Sequence, residues 1–275
     1  MNPIHFKYKN WEFEGISEGG IRTSIAVPSL SLMFDYGNVV PENIKYNTLL
    51  LTHSHLDHSA GLPYYISQRS LQKLPPPKIF VPAEVEEDFR ELFKIYAKLE
   101  GFDYHYELIG AKPNERYMLN KNFYFEPIRT HHRVISQGYT ILEKRSKLKP
   151  EFAHLNEKDF FEMGRKGIEL NQISFEPVIS FSGDTKIEYV ILNPLVQKSK
   201  ILFLECTYID EKKSIENARE WGHIHLNEIA QHASSFQNEQ LVLIHFSKRY
   251  RKQEIINTVK AKLPKELMER TRLFL

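Results

Sequence analysis

The sequence predicts an α/β architecture, because segments typical of strands and segments typical of helices alternate along the chain. Short apolar runs rich in β-branched and aromatic residues, bounded by turn residues, indicate the strands. Longer segments with apolar residues three or four positions apart indicate the helices. No linker rich in glycine and serine divides the 275 residues, so we expect one domain over 1–275, with a polar insertion at about 143–176.

The predicted elements follow one another at short spacing. The predicted strands are, in order, Ser31–Asp35, Thr48–Thr52, Lys78–Val81, Phe123–Ile128, Val178–Ser182, Ile201–Glu205 and Leu241–His245. The predicted helices are Ala60–Gln72, Ala83–Leu99, Leu226–Phe236 and Lys252–Leu263. Three consecutive prolines, Pro75 to Pro77, separate the first helix from the next strand, since proline fixes φ and has no amide proton to donate.

The insertion at 143–176 is polar and basic and has weaker periodicity than the rest of the chain. Its basic residues are Lys144, Arg145, Lys147, Lys149, Lys158, Arg165 and Lys166, and it also contains Gly164 and Gly167. Such charge runs usually form a solvated surface, which is the interpretation that the sequence slightly favours. The alternative is an arm that contacts the substrate.

Composition narrows the class of protein without giving its function. The chain is 41% apolar and 26% charged, values that are ordinary for a soluble globular protein. It has no run of about 20 apolar residues and no secretory signal pattern at its first residues, so we expect no membrane association and a cytoplasmic location. Cys206 is the only cysteine, which excludes an intramolecular disulfide. A net charge of +2 neither requires nor excludes nucleic acid.

The strongest functional signal follows the apolar run at 49–51. His53, His55, Asp57 and His58 stand within six residues directly after that predicted strand. Alternate residues of an extended segment share a face, so His53 and His55 can point to the same side, and the other two can reach a second metal. Imidazole and carboxylate are good zinc ligands. The alternative is a hydrogen-bonded surface loop, but so many ligand types at a strand end favour a metal site.

Further candidate ligands follow later predicted strands. His131 and His132 come after the fourth strand, Asp184 after the fifth and His245 at the end of the last. Sites in α/β sheets gather at the carboxyl ends of strands, where the loops converge. For Asp184 the alternative is a simple Asx turn after the strand.

The segment His53–His58 resembles the HxHxDH motif of the metallo-β-lactamase superfamily, and the later ligands occur in the order of that superfamily. The resemblance implies an αββα sandwich of two mixed sheets with flanking helices. It also implies two Zn²⁺ per chain, with Mn²⁺ or Fe²⁺ as possible substitutes. One zinc would be held by His53, His55 and His132, the other by Asp57, His58 and His245, with Asp184 and a water or hydroxide bridging both. His131 competes with His132, which we prefer because the sequence around it resembles the His-x-Val…Gly-Tyr context of one subfamily.

Three further segments resemble the ribonuclease Z family, which removes the 3′ trailer from precursor tRNA. They are Glu205 to Tyr208, Gly222 to Leu226 and His245 to Tyr250. The resemblance extends to Gly15–Gly20, to the turn at 35–37 and to 59–63, and is closest to short-form members. It implies attack of a metal-bridging hydroxide on a precursor tRNA, and a homodimer.

The resemblance also implies catalytic roles. Asp57 would act as general base as well as ligand, and His223 would protonate the leaving oxygen while Glu205 orients it. The alternative for His223 is a helix N-terminal residue without chemistry, and His225 stays unassigned. Lys248 and Arg249 would contact a substrate phosphate or, with equal weight, form salt bridges that fix their loop.

Some positions depart from the family pattern. Ile224-His225 replaces a common Ser-Thr, Cys206-Thr207 replaces a common Ala-Thr, and the insertion lacks the glycine- and proline-rich motif of the family's arm. The reduced arm motivates one alternative, a phosphodiesterase for cyclic nucleotides or other small diesters. A non-catalytic interaction protein on the same fold is the weakest alternative, because every expected ligand is present.

Overall fold

Fourteen strands form two seven-stranded sheets in the computed structural model, which describes residues 3–152, 154–155 and 157–275. The strands are β1 Ile4–Tyr8, β2 Trp11–Glu18, β3 Arg22–Val27, β4 Leu32–Phe34, β5 Thr48–Leu50, β6 Lys78–Pro82, β7 Glu107–Ala111, β8 Tyr117–Met118, β9 Phe123–Arg129, β10 Gln137–Leu148, β11 Asn171–Phe181, β12 Ile201–Glu205, β13 Gln240–Ile244 and β14 Thr271–Leu273. The helices are α1 Leu56–Ser59, α2 Leu62–Leu71, α3 Glu86–Glu100, α4 Glu157–Arg165, α5 Glu188–Ile191, α6 Pro194–Lys198, α7 Ile215–Glu220, α8 Leu226–Gln231, α9 Lys252–Lys262 and α10 Lys265–Glu269. Short 3-10 turns lie at Pro28–Leu30, Pro41–Lys45, Ala83–Val85, Pro150–Phe152 and Ala233–Ser235.

Each sheet is antiparallel in one half and parallel in the other. In the first sheet the order is β1 to β7, with β1–β4 antiparallel and β4–β7 parallel. In the second the order is β14-β13-β12-β11-β10-β9-β8, with the four strands from β14 to β11 parallel. The central parallel strands β12 and β13 are buried at every residue, which is typical of strands covered on both faces.

The inner faces of the two sheets pack through a core rich in aromatic side chains. Phe34 of the first sheet stacks on Phe181 of the second, with ring centroids 4.6 Å apart. Helices cover the outer faces, with α2 and α3 burying Tyr65 and Phe93 on the first sheet and α9 burying Val259 on the second. The predicted αββα sandwich of two mixed sheets is therefore confirmed.

The seven predicted strands and four predicted helices each overlap an observed element of the same type. The predicted helix Leu226–Phe236 is shorter than expected, because α8 ends at Gln231 and a 3-10 turn follows. The sequence interpretation missed the N-terminal strands β1–β3, although Ile4, Phe6 and Tyr8 alternate with polar residues as expected for a strand with one buried face.

The segment at 143–176 is more regular than the sequence suggested. Strands β10 and β11 continue through it as an antiparallel hairpin, from the pair Glu143↔Glu176 to the pair Leu148↔Asn171, and α4 follows at its tip. For Lys158 and Gly164 the side-chain positions lie outside the described part of the chain. We call residues 143–176 the arm.

Among the described residues, no helix combines the length and the apolar character that crossing a bilayer requires.

Candidate metal centre

Five loops at one edge of the sandwich bring the predicted ligands together. They follow the carboxyl ends of β5 and β9, which lie in different sheets, and of β11, β12 and β13. Polar side chains lie at this edge because the buried strands end here and continue into loops that reach the solvent. The tip of the arm, at the pair Leu148↔Asn171, lies at the opposite end of β10 and β11, about 30 Å away at the rise of a strand.

The first group of ligand atoms consists of His53, His55, His132 and Asp184, whose atoms all lie within 4.8 Å of one another. His55 Nδ1 lies 3.2 Å from His53 Nε2 and 3.1 Å from His132 Nε2. Asp184 Oδ2 lies 3.7 Å from His53 Nε2. Burial lowers the pKa of His53, His55 and His132, which favours the neutral imidazole that binds a metal.

The second group consists of Asp57, His58, His245 and the other oxygen of Asp184. His245 Nε2 lies 3.3 Å from His58 Nε2 and 3.3 Å from Asp57 Oδ2. The backbone of His245 adopts a φ of 59°, which is uncommon for a residue with a side chain and is typical of strain held at a functional site.

Asp184 joins the two groups. Its Oδ1 lies 3.4 Å from His58 Nε2 and 3.3 Å from His245 Nε2, while its Oδ2 faces the first group. Although Oδ1 is buried, it accepts no hydrogen bond from any described residue. Burial raises the pKa of this carboxyl, but His245 and His58 outweigh burial and lower it well below its usual value. A buried charged oxygen without a proton donor, surrounded by imidazole nitrogens, fits a divalent cation between these atoms.

A buried aspartate supports both groups from behind. Asp35 Oδ2 accepts hydrogen bonds from His58 Nδ1 at 2.7 Å and from Thr52 Oγ1 at 2.9 Å. Thr52 Oγ1 in turn lies 2.9 Å from His53 Nδ1. These contacts orient the two rings so that each Nε2 points to the centre, the usual arrangement behind metal-binding histidines.

Glu205 and His223 form a second buried pair beside the ligands. Glu205 Oε1 lies 2.9 Å from His223 Nδ1, and the backbone amide of Thr185 donates to the same oxygen. Thr207 Oγ1 donates to Glu205 Oε2 at 2.7 Å and lies 3.0 Å from His245 Nδ1. Burial opposes a charge on His223, but Glu205 raises its pKa to about 9. The pair therefore keeps a protonated imidazole next to the ligand cluster.

The remaining predicted candidates lie at different places. The guanidinium of Arg249 lies over the ring of Tyr208, and Tyr208 contacts His223 edge-on. Arg249 is therefore near the ligand cluster, with Tyr208 between it and His223. Lys248 is directed to Glu18, with 3.8 Å between Nζ and Oε1.

The two histidines that were left open are also placed. His131 is exposed and belongs to none of the ligand groups found among the described residues. The ring of His225 caps α8, because its Nδ1 accepts from the amide of Asn227 at 3.1 Å and its Nε2 donates to the carbonyl of Asp210.

The sequence interpretation missed Asp35, Thr52 and Thr207 as supporting residues. An available signal for Asp35 was an acidic residue at the end of an otherwise apolar strand. For the two threonines the only available signal was position: Thr52 directly precedes His53, and Thr207 is two residues after Glu205.

Comparisons with known proteins show what this chain is similar to. The family model described as Anti-Pycsar protein Apyc1 matches residues 29–270. The tRNase Z TRZ1 of Arabidopsis thaliana is 36% identical over 258 residues, which cover 93% of this chain and 92% of that protein. The chloroplastic tRNase Z TRZ2 of the same plant is 38% identical over 94% of this chain and 74% of its own length.

Solved structures show the same fold at lower sequence identity. The human short-form tRNase Z, ELAC1, is 18% identical and superposes with a TM-score of 0.64 over 96% of this chain and 97% of its own. The metallo-β-lactamase fold protein YhfI of Bacillus subtilis is 16% identical, with a TM-score of 0.65 over 94% of this chain and 92% of its own. The predicted metallo-β-lactamase fold is confirmed by these structures.

Proposed function

This chain belongs to the tRNase Z family and to the family of the Anti-Pycsar protein Apyc1, and from that premise we propose that it is a metal-dependent endoribonuclease that removes the 3′ trailer from precursor tRNA. The observation that carries the proposal is the pair of ligand groups that share Asp184, with His223 held beside them by Glu205 at 2.9 Å. Two metal sites with a proton donor suit the hydrolysis of a phosphodiester.

We assign one divalent metal to His53, His55, His132 and Asp184, and a second to Asp57, His58, His245 and Asp184. Nitrogen and oxygen ligands favour Zn²⁺, with Mn²⁺ or Fe²⁺ as alternatives. When bound, such metals supply an activated water and neutralise charge on the phosphate.

Different side chains would carry out the two proton transfers, from the attacking water and to the leaving oxygen. Asp57 Oδ2 is only partly buried and accepts a hydrogen bond from the amide of Gly20 at 3.0 Å, so it is held at the position of a base for the attacking water. His223 donates its proton to the leaving 3′ oxygen, and Glu205 orients the ring and favours its charged form. Arg249 is better placed than Lys248 to pair with a substrate phosphate, since Lys248 pairs with Glu18.

The arm would contact the phosphate backbone of the tRNA away from the cleaved bond. Lys144, Lys147 and Lys149 lie on or directly after β10, and within the described part of the chain none of them pairs with a carboxylate. Lysines that no described carboxylate pairs with, on a projecting hairpin, suit contact with a polyanion.

A homodimer in the cytoplasm completes the proposal. The exposed face of α3 supports self-association, because Leu92, Ile95, Tyr96 and Leu99 form one apolar stripe at helical spacing and are 38%, 56%, 40% and 74% exposed. A second copy can cover this stripe with its own, so the mass in solution, measured by sedimentation, tests the dimer.

The test of the proposed function is cleavage of a precursor tRNA by the purified chain loaded with Zn²⁺ or Mn²⁺. We expect one cut at the junction with the 3′ trailer, and a loss of at least about 100-fold in Asp57→Ala, which lacks both a ligand and the base. Asp103→Ala, an exposed aspartate remote from the centre, is the matched control and should keep full activity. Absence of cleavage with either metal would refute the proposal.

The alternative of a phosphodiesterase for cyclic nucleotides or other small diesters is not favoured, since relatives at 36% and 38% identity carry the name tRNase Z. Efficient turnover of a cyclic nucleotide without binding of tRNA in a gel-shift assay would reverse this preference.

A further inference from the structure

An exposed tryptophan lies at the edge of the metal centre, on the side of His223. Trp221 stands two residues before His223 and exposes 49% of its surface. The guanidinium of Arg133 lies 4.5 Å from the centre of its ring. Arg133 directly follows His132, a proposed ligand, and Trp221 is close in sequence to His223, the proposed proton donor. Arg133 and Trp221 therefore adjoin both of these residues.

The backbone holds Trp221 at this place. Trp221 directly follows α7, and Gly222 then reverses the chain with a φ of +76°. The amide of His223 donates to the carbonyl of Ala218 at 2.9 Å, as in the Schellman end of a helix. The reversal sends His223 into the centre and leaves the indole outside it.

The same turn is tied to the ligand cluster. The carbonyl of Gly222 accepts a hydrogen bond from His132 Nδ1 at 2.9 Å. A Cβ atom at Gly222 would stand 2.7 Å from that nitrogen, so the turn packs directly against the ring. These contacts therefore fix the backbone next to Trp221 relative to the ring of His132.

Arg133 carries a positive charge that can pair with the phosphate of a nucleotide. It is exposed, and within the described ranges of the chain no carboxylate forms an ion pair with it. Its guanidinium can therefore pair with a phosphate while its plane stays over the indole. An aromatic face beside a free arginine is the combination that binds one base and its backbone in single-stranded RNA.

We propose that Trp221 and Arg133 form the binding subsite for the nucleotide whose 3′ oxygen leaves, with Trp221 stacking on its base. The proposal rests on the proposed function, because the leaving oxygen must lie beside its proton donor His223. The ring of His223 lies 5.1 Å from that of His132. Arg133 directly follows His132 and Trp221 stands two residues before His223, so the subsite adjoins the place of the leaving oxygen. Stacking accepts every base, so the subsite holds the last nucleotide of the product RNA without reading its identity.

The first experiment pairs enzyme variants with an altered substrate. Precursor tRNA is made with an intact or an abasic last nucleotide of the product, and with an abasic second nucleotide of the trailer as the substrate control. We expect Trp221→Ala to lower kcat/KM on the intact RNA about tenfold, the size of one stacking contact. Loss of the base should cost the unchanged enzyme a similar factor and cost Trp221→Ala almost nothing, while Trp221→Phe restores sensitivity. Leu71→Ala, an exposed apolar residue at the end of α2, is the control variant.

An equal abasic penalty in the unchanged enzyme and in Trp221→Ala would overturn the subsite while leaving the endoribonuclease intact. Failure of the unchanged enzyme to cleave the intact RNA would refute the proposed function instead. The two failures are therefore distinguishable.

A second experiment measures binding without turnover. The chain has two tryptophans, and Trp11 packs edge-on against Phe123 far from the centre, so Trp11→Phe leaves Trp221 as the single indole. We expect product RNA with an intact last base to quench its fluorescence, and RNA ending in an abasic nucleotide to quench it little. Equal quenching by both RNAs would contradict stacking on that base.

Discussion

His223 is positioned by a buried carboxylate, and this pair sets the pH range in which the proposed proton donor stays charged. Glu205 is fully buried, and His223 retains some exposure towards the centre. Burial alone would lower the pKa of His223, whereas Glu205 raises it to about 9. A proton donor must be charged to act, so the rate should fall as the pH rises through this pKa.

We expect Glu205→Gln to shift that fall to lower pH. The neutral amide keeps the size of the side chain but removes the charge that raises the pKa of His223, so the imidazole loses its proton earlier as the pH rises. The measurement is kcat for precursor tRNA against pH, with the same metal in both proteins because bound cations also lower this pKa.

His223→Ala serves as the reference for this prediction. It should slow cleavage, remove the alkaline fall and retain the metal content of the unchanged protein. Loss of metal in His223→Ala, or an unshifted profile in Glu205→Gln, would contradict the assignment of His223 as proton donor.

The arm and the metal centre lie at opposite ends of β10 and β11. About 30 Å of strand separates the tip of the arm from the centre, so an RNA must span that distance to contact both. We expect replacement of Lys144, Lys147 and Lys149 by glutamine to raise KM for full-length precursor tRNA several-fold and to weaken its salt dependence, because three phosphate contacts are removed. The measurement is KM against salt concentration.

The substrate that distinguishes this prediction is a short RNA hairpin carrying only the cleaved junction, whose KM should stay unchanged. Replacing the three exposed residues Lys73, Lys212 and Lys260, outside the arm, by glutamine is the charge-matched control. An equal rise of KM for the hairpin and for the full-length RNA would contradict the assignment of these lysines to contacts away from the cleaved bond.

Local patterns were sufficient to predict the elements that carry the ligands. His53, His55, Asp57 and His58 are close in sequence and follow a strongly apolar strand, so neither long-range pairing nor packing was needed to predict a site there. The hairpin of the arm was missed because its exposed strands have no buried face, and polar strands lack the alternation from which a strand is predicted.

Contacts between elements could not be predicted in the same way. Asp35 and His58 are 23 positions apart and meet only because α1 packs against the sheet at the end of β4. Trp221 and Arg133 come from two loops whose distance is set by the turn at Gly222 and the hydrogen bond to His132. Such pairs depend on the packing of whole strands, which no local pattern of residues specifies.

Each proposed metal would connect the two sheets of the molecule. In the first group His53 and His55 follow a strand of the first sheet, whereas His132 and Asp184 follow strands of the second. In the second group Asp57 and His58 stand against Asp184 and His245 in the same way. Without cations, buried imidazole and carboxylate groups face one another at this edge, and Asp184 Oδ1 has no hydrogen-bond partner among the described residues.

Metal removal should therefore lower the stability of the whole fold as well as activity. A ligand that binds only the folded state stabilises it by about 2.7 kcal/mol at a concentration 100 times its Kd, so we expect chelation to lower Tm by several degrees and added Zn²⁺ to restore it. The variant His53→Ala with His58→Ala, which loses one ligand from each group, should show a much smaller change on chelation. His232→Ala, outside both groups, is the matched control and should keep the full shift. If chelation lowers the Tm of the double variant by the same amount, the stabilising metal binds at a site that does not include His53 or His58.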